Sequence, residues 1–157
     1  MIKAYLFDWG NTLMRELPGM TGKMCDWPQV KAVDGASEVL KFLSKKSDIV
    51  IATGANDSTE KDIAKAFARA NLDSYISDYF CRANIGHAKG SREFLEEILN
   101  RLQIKAEEAV MVGDSLEKDI KPALAVGLHC YWLGGDTAAY SAINLKVISR
   151  LTDLLAE

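Results

Sequence analysis

The chain has 157 residues, 48% hydrophobic and 26% charged, with a net charge of −3; this suits one compact globular domain over 1–157 and argues against a disordered or fibrous chain. Its 19 basic residues are scattered, so no nucleic-acid surface is evident, and no apolar run approaches the ~18 residues that a membrane span needs. The three cysteines, Cys25, Cys81 and Cys130, form no Cys-x-x-Cys pair, which speaks against a disulfide framework or a zinc site and favours a reducing, cytoplasmic setting.

The first element is an apolar strand over 2–7, ending at Asp8 and followed by Trp9-Gly10-Asn11-Thr12-Leu13. Taken alone, Asp8 reads equally as a turn residue or as a nucleophile or metal ligand. Residues 14–34 break the regular pattern with prolines and glycines, and predict a loop or short flap in which Met20, Met24 and Trp27 pack on the body. A helix follows with Ala36, Val39, Leu40 and Leu43 on one face, then a strand at 48–52 ending in Thr53-Gly54. Asp57 with Glu60 has the pattern of a capping box opening a helix whose buried face carries Ile63, Ala66, Phe67 and Ala70. A weaker strand at 79–81 leads to Gly86-His87-Ala88-Lys89-Gly90, one lysine in a glycine-flanked loop. Ser91 caps a helix with Phe94, Leu95, Ile98, Leu99 and Leu102 on one side. The strand at 108–112 ends in Gly113-Asp114-Ser115; Ser115 caps a helix containing Asp119 and the apolar face Leu116, Ile120, Ala123 and Leu124, which Gly127 stops. Strands at 128–132 and 145–148 complete the count.

Alternation of this kind predicts a doubly wound, Rossmann-like α/β fold with a parallel sheet of five to six strands, whose ligands bind beyond the carboxyl ends of the strands. Asp8, Thr53 and Asp114 all stand at such ends. With only His87 and His129 as imidazoles, a metal here would be a hard cation on oxygen ligands, and Mg²⁺ takes one or two carboxylates and leaves room for phosphate. Asp8 and Asp114 suit that role. Thr53, with the backbone N–H groups of Gly54 and Ala55 opening a helix, suits phosphate oxygens, and Lys89 offsets their charge. Asp119 could support the cation or merely complement the start of its helix.

In order and spacing these four segments resemble the motifs of the haloacid dehalogenase (HAD) superfamily. The resemblance implies a phosphate monoester or acyl phosphate as substrate, a nucleophilic Asp8 that becomes an aspartyl-phosphate, phosphate binding by Thr53 and Lys89, and Mg²⁺ held by Asp8, Asp114, Asp119 and the carbonyl of Gly10. It also shows a departure, because phosphatases of this superfamily mostly carry a second aspartate where this chain has Gly10. Glu16, Asp26 and His87 are the candidates to replace that acid. A substrate that needs little protonation, or a catalytically weak phosphate-binding or regulatory module, are the other readings. No segment is long enough for a separate cap domain, so the site is expected to be open to a small molecule or a macromolecule, unless a neighbouring copy in a homo-oligomer supplies the lid.

Overall fold

The computed structural model describes residues 1–156. Its centre is one parallel sheet of β1 (Ala4–Phe7), β2 (Asp48–Ala52), β3 (Asp78–Phe80), β4 (Ala109–Gly113), β5 (His129–Leu133) and β6 (Leu145–Ile148), in the order β3-β2-β1-β4-β5-β6. The sheet is Rossmann-like and flanked by helices, with no separate cap insertion among the described residues. Alternation along each strand sends successive side chains to opposite faces. Phe7, Ile49, Ile51, Val110 and Val112 join Leu40, Phe67 and Leu151 on one side, where α1 (Ala36–Leu43) and α2 (Glu60–Arg69) pack. Leu6, Val50, Ala52 and Met111 face the other side, against Phe94 and Ile98 of α4 (Arg92–Leu102) and Ala123 of α5 (Lys121–Val126).

This strand order places a topological switch between β1 and β4. From β1 the chain winds outward through β2 to β3, and from β4 it winds the other way through β5 to β6. The connections therefore diverge at the carboxyl ends of β1 and β4 and leave a crevice between them.

Local structure departs from expectation in several places. The cap of α2 is Thr59 rather than Asp57: Asp62 N–H donates to Thr59 Oγ1 (3.4 Å), and Thr59 N–H donates to Asp62 Oδ2 (3.0 Å). Asp62 Oδ2 also receives Lys23 Nζ at 3.0 Å, a tertiary contact that selects this box over the one two residues upstream. A short helix α3 (Arg82–Ile85) follows β3, stopped by Gly86 at φ 86°, a left-handed conformation that suits glycine. Finally, the segment expected as one helix from Leu116 begins as a π-helical turn, Leu116–Ile120, and continues as α5 with Pro122 in its first turn. Proline has no N–H to give to the ladder, so the irregular turn falls where regular pairing is already interrupted.

The segment 14–34 lies across one edge of the crevice. Met14 is buried and bridges both Gly10 and Ala32, while Met24 and Cys25, in a 3-10 turn (Met24–Asp26), are buried against α2. Arg69 at the end of α2 secures it: Nη1 donates to the carbonyls of Cys25 (3.1 Å) and Trp27 (2.6 Å), and Nη2 to that of Pro28 (3.4 Å). Hydrogen bonds from a charged donor are worth about 1.5–3 kcal/mol each. Arg69→Ala should therefore speed amide hydrogen exchange through 24–28 by about tenfold or more while leaving β1 and β4 protected, as read by exchange mass spectrometry.

Candidate active site

Three carboxylates meet in the crevice. Oxygens of Asp8, just beyond β1, and of Asp114 and Asp119, beyond β4, all lie within 4.8 Å of one another. Asp8 is held at both oxygens: Thr12 Oγ1 donates to Oδ2 (2.9 Å), and Lys89 Nζ donates to Oδ1 (2.5 Å). Asp119 is 1% exposed; Ser115 N–H donates to its Oδ2 (3.1 Å), and Oδ1 forms an ion pair with Lys89 Nζ at 2.6 Å. Its side chain enters because residue 113 is glycine. A Cβ there would lie 2.2 Å from Asp119 Oδ2.

Charge and burial compete in this cluster. Burial alone would lower the basicity of Lys89, but the carboxylates of Asp8 and Asp119 outweigh it and hold the ammonium above its ordinary value. Asp119 is raised, by burial first, then by Asp8, against the pull of Lys89. Asp114 stands at the solvent-exposed rim, yet desolvation of its carboxyl, followed by a hydrogen bond and charge repulsion from Asp8 and repulsion from Asp119, pushes it up to about 7. Three acids against one buried lysine leave an excess of negative charge on oxygen donors. That donor set fits a hard divalent cation such as Mg²⁺ and does not fit a soft transition metal.

Thr53, at the end of β2, is 4% exposed, and its Oγ1 accepts the N–H of Ala55 (3.1 Å). Gly54 and Ala55 do not open a helix as expected. They lie in a loop, and α2 begins only at Glu60. The N–H of Ala55 thus already has an acceptor, whereas the Thr53 hydroxyl keeps its proton available. A cavity of about 580 Å³ is lined by Asp8, Gly10, Thr53, Gly54, Ala55, Lys89, Asp114 and Asp119, so the residues read from the sequence as nucleophile, phosphate binders and metal ligands all reach one space. Leu17, Met20, Met24 and Trp27 of the 14–34 segment form an apolar wall, and Glu16, Asp57 and Lys118 also border it. Among the three candidate replacement acids, Glu16 alone lines the cavity. His87 is exposed outside it, and Asp26 is turned toward Lys65 (3.7 Å). Thr12 was not singled out from the sequence; its signal is a hydroxyl four residues after Asp8 in a tight turn.

A doubly wound parallel sheet with an acidic, cation-fitting cluster at its switch point defines a class of metal-assisted α/β proteins. Within that class the chain belongs to the haloacid dehalogenase-like hydrolase family, whose sequence profile matches residues 25–127. The match takes in Thr53, Lys89, Asp114 and Asp119, and begins after Asp8. YfnB of Bacillus subtilis, named as a HAD-hydrolase, is 29% identical over 105 residues, 66% of this chain and 43% of that protein. Ribulose-1,5-bisphosphate 5-phosphatase of Halopiger xanaduensis is 38% identical over 102 residues, 64% of this chain and 41% of its own. The chain therefore spans less than half the length of these curated relatives. Among solved structures, an uncharacterized protein of Listeria monocytogenes superposes with a TM-score of 0.85 at 22% identity, covering 99% of this chain and 96% of that one. Magnesium-bound YfnB superposes with a TM-score of 0.76 at 17% identity, covering 99% and 97%.

A cation binds the ionised carboxylate, so proton and metal compete at Asp114. Its value is raised from 3.8 to about 7, the reverse of a salt-bridged aspartate, so the metal-free fold loses stability as pH rises through that window. Added Mg²⁺ relieves this repulsion most above it. Isothermal titration should show Mg²⁺ affinity nearly constant above about pH 7 and falling by up to about tenfold per pH unit below it, with one proton displaced. Equal affinity at pH 6 and pH 8 would contradict the coupling.

Proposed function

We propose that this protein is a Mg²⁺-dependent phosphohydrolase acting on a phosphate monoester or acyl phosphate, with Asp8 as nucleophile. The observation that carries this reading is the Lys89 ammonium shared by Asp8 and Asp119, whose carboxylate oxygens lie within 4.8 Å of each other and of one from Asp114. Residues 1–157 would act as one hydrolase unit with 14–34 as a flap at its mouth. A phosphorylated substrate, small molecule or macromolecule, accords with the phosphatase named above. Among the described residues no helix is long and apolar enough to cross a membrane; we assign the activity to the cytoplasm on the three unpaired cysteines.

The roles follow from the chemistry of each group. Thr12 at Oδ2 and Lys89 at Oδ1 fix the orientation of the Asp8 carboxylate, which would attack phosphorus in line with the departing oxygen. Lys89, paired with Asp8 and lining the cavity, would meet the incoming phosphoryl group beside the attacking carboxylate, where a fixed ammonium counters the repulsion of two anions. Thr53 donates its hydroxyl proton to a phosphoryl oxygen, since its own oxygen already accepts from Ala55. The N–H of Gly54, which also lines the cavity, would assist there. Asp8, Asp114 and the Gly10 carbonyl, with Asp119 in support, would hold Mg²⁺, which when bound supplies Lewis-acid neutralisation of phosphoryl charge. Asp119 meanwhile anchors Lys89 from below.

Purified protein should release phosphate from p-nitrophenyl phosphate with Mg²⁺, stop when the metal is chelated, and lose about 10³-fold or more of kcat/KM as Asp8→Asn. Substrate binding without any phosphate release in the unaltered protein would instead identify a phosphate-binding module.

A further inference from the structure

We propose that Glu16 is the acid and base of this reaction, occupying the space that a side chain at residue 10 would otherwise fill; this rests on the phosphohydrolase reading above. An alkoxide leaves phosphorus slowly unless it is protonated, and the water that later frees Asp8 must give up a proton. Outside the three clustered carboxylates, the acids bordering the cavity are Glu16 and Asp57. Asp57 points its Oδ1 at the Ser58 hydroxyl (3.0 Å). Glu16 has no side-chain hydrogen bond or ion pair among the described residues, and its carboxylate lies directly over Gly10. A Cβ built on residue 10 would come within 2.1 Å of Glu16 Oε1 and 3.0 Å of its Cδ. The carboxylate therefore stands beside the backbone two residues beyond the nucleophile, at the mouth of the crevice.

That position is built by the main chain. Asn11 takes a left-handed φ of 60°, its N–H donates to the carbonyl of Met14 (2.6 Å), and its Oδ1 accepts the N–H of Glu16 (2.9 Å). Arg15 N–H donates to the carbonyl of Lys31 (2.8 Å). The turn is thus pinned at Asn11, at Arg15 and at the N–H of Glu16, which brings a side chain six residues away in sequence back over Gly10. Glycine at position 10 is what makes room for it.

In the first step an Asp8 oxygen bonds to phosphorus while the bond from phosphorus to the leaving oxygen breaks. The electron pair stays on that oxygen, which takes the proton of the Glu16 carboxyl and departs as an alcohol. In the second step the Glu16 carboxylate takes a proton from water as the water oxygen bonds to phosphorus. The bond to Asp8 then breaks, inorganic phosphate leaves, and both side chains return to their starting states.

The test compares Glu16→Gln with the unaltered protein on an alkyl phosphate and on p-nitrophenyl phosphate, whose leaving group departs without a proton. Glu16→Gln should lower kcat/KM for the alkyl ester by about 10²- to 10⁴-fold and barely change it for the aryl ester. On the aryl ester it should show a burst of p-nitrophenolate followed by slow turnover, because release of phosphate from Asp8 has lost its base. Equal losses on both esters, or no loss on either, would overturn the role of Glu16 while leaving Asp8 as nucleophile. Inactivity of the unaltered protein on both esters would overturn the hydrolase reading with it. Moving the carboxylate, as Gly10→Asp with Glu16→Ala, should recover alkyl ester hydrolysis at least about tenfold over Glu16→Ala alone; no recovery would overturn the shared placement.

Discussion

The buried ammonium of Lys89 is held between two carboxylates, 2.5 Å from Asp8 Oδ1 and 2.6 Å from Asp119 Oδ1, with its side chain only 7% exposed. A charge taken this far out of water is tolerated only when it is paired, and removing one partner of such a set typically costs about 3–5 kcal/mol. The three groups come from three separate parts of the chain: the end of β1, the loop between α3 and α4, and the irregular turn after β4. Their pairing therefore ties the crevice shut at its base. It also leaves Asp114 at the rim facing an excess of negative charge, and that excess is what gives the site its affinity for a cation.

Close approach at this base depends on the absence of side chains as much as on their presence. Gly113 ends β4 without a Cβ, and the Asp119 carboxylate fills that space and accepts the N–H of Ser115. Gly10 does the same at the mouth of the crevice for Glu16. One glycine admits the carboxylate that anchors the lysine, and the other admits the carboxylate assigned to proton transfer. The apolar wall of Leu17, Met20, Met24 and Trp27 completes the enclosure on the flap side, held down through Arg69.

Much of this was legible in the residues. All six strands fall at the expected apolar runs, because parallel strands buried on both faces need continuous branched or aromatic side chains. The acidic and polar residues at strand ends pointed to the crevice because a doubly wound sheet has only one place for them to meet. What the sequence hid was set by contacts between distant segments. Asp57 and Thr59 are both competent caps, and Lys23, 39 residues from Asp62, decides between them. The π-helical turn at Leu116–Ile120 and the loop conformation of Gly54 and Ala55 depend on how Asp119 and Thr53 hydrogen-bond to nearby backbone N–H groups. Glu16, Asp26 and His87 looked equivalent as acids in one dimension; only the folded turn at 10–16 distinguishes them.

The central claim is that Asp8 accepts the phosphoryl group. Its most direct test is a crystal structure grown with Mg²⁺ and beryllium fluoride, a mimic of a phosphorylated carboxylate. The account predicts beryllium bonded to an oxygen of Asp8, with Thr53 and Lys89 on its fluorides and the metal against Asp114. Beryllium fluoride on another side chain, or an Asp8 carboxylate left unmodified beside a bound anion, would contradict it.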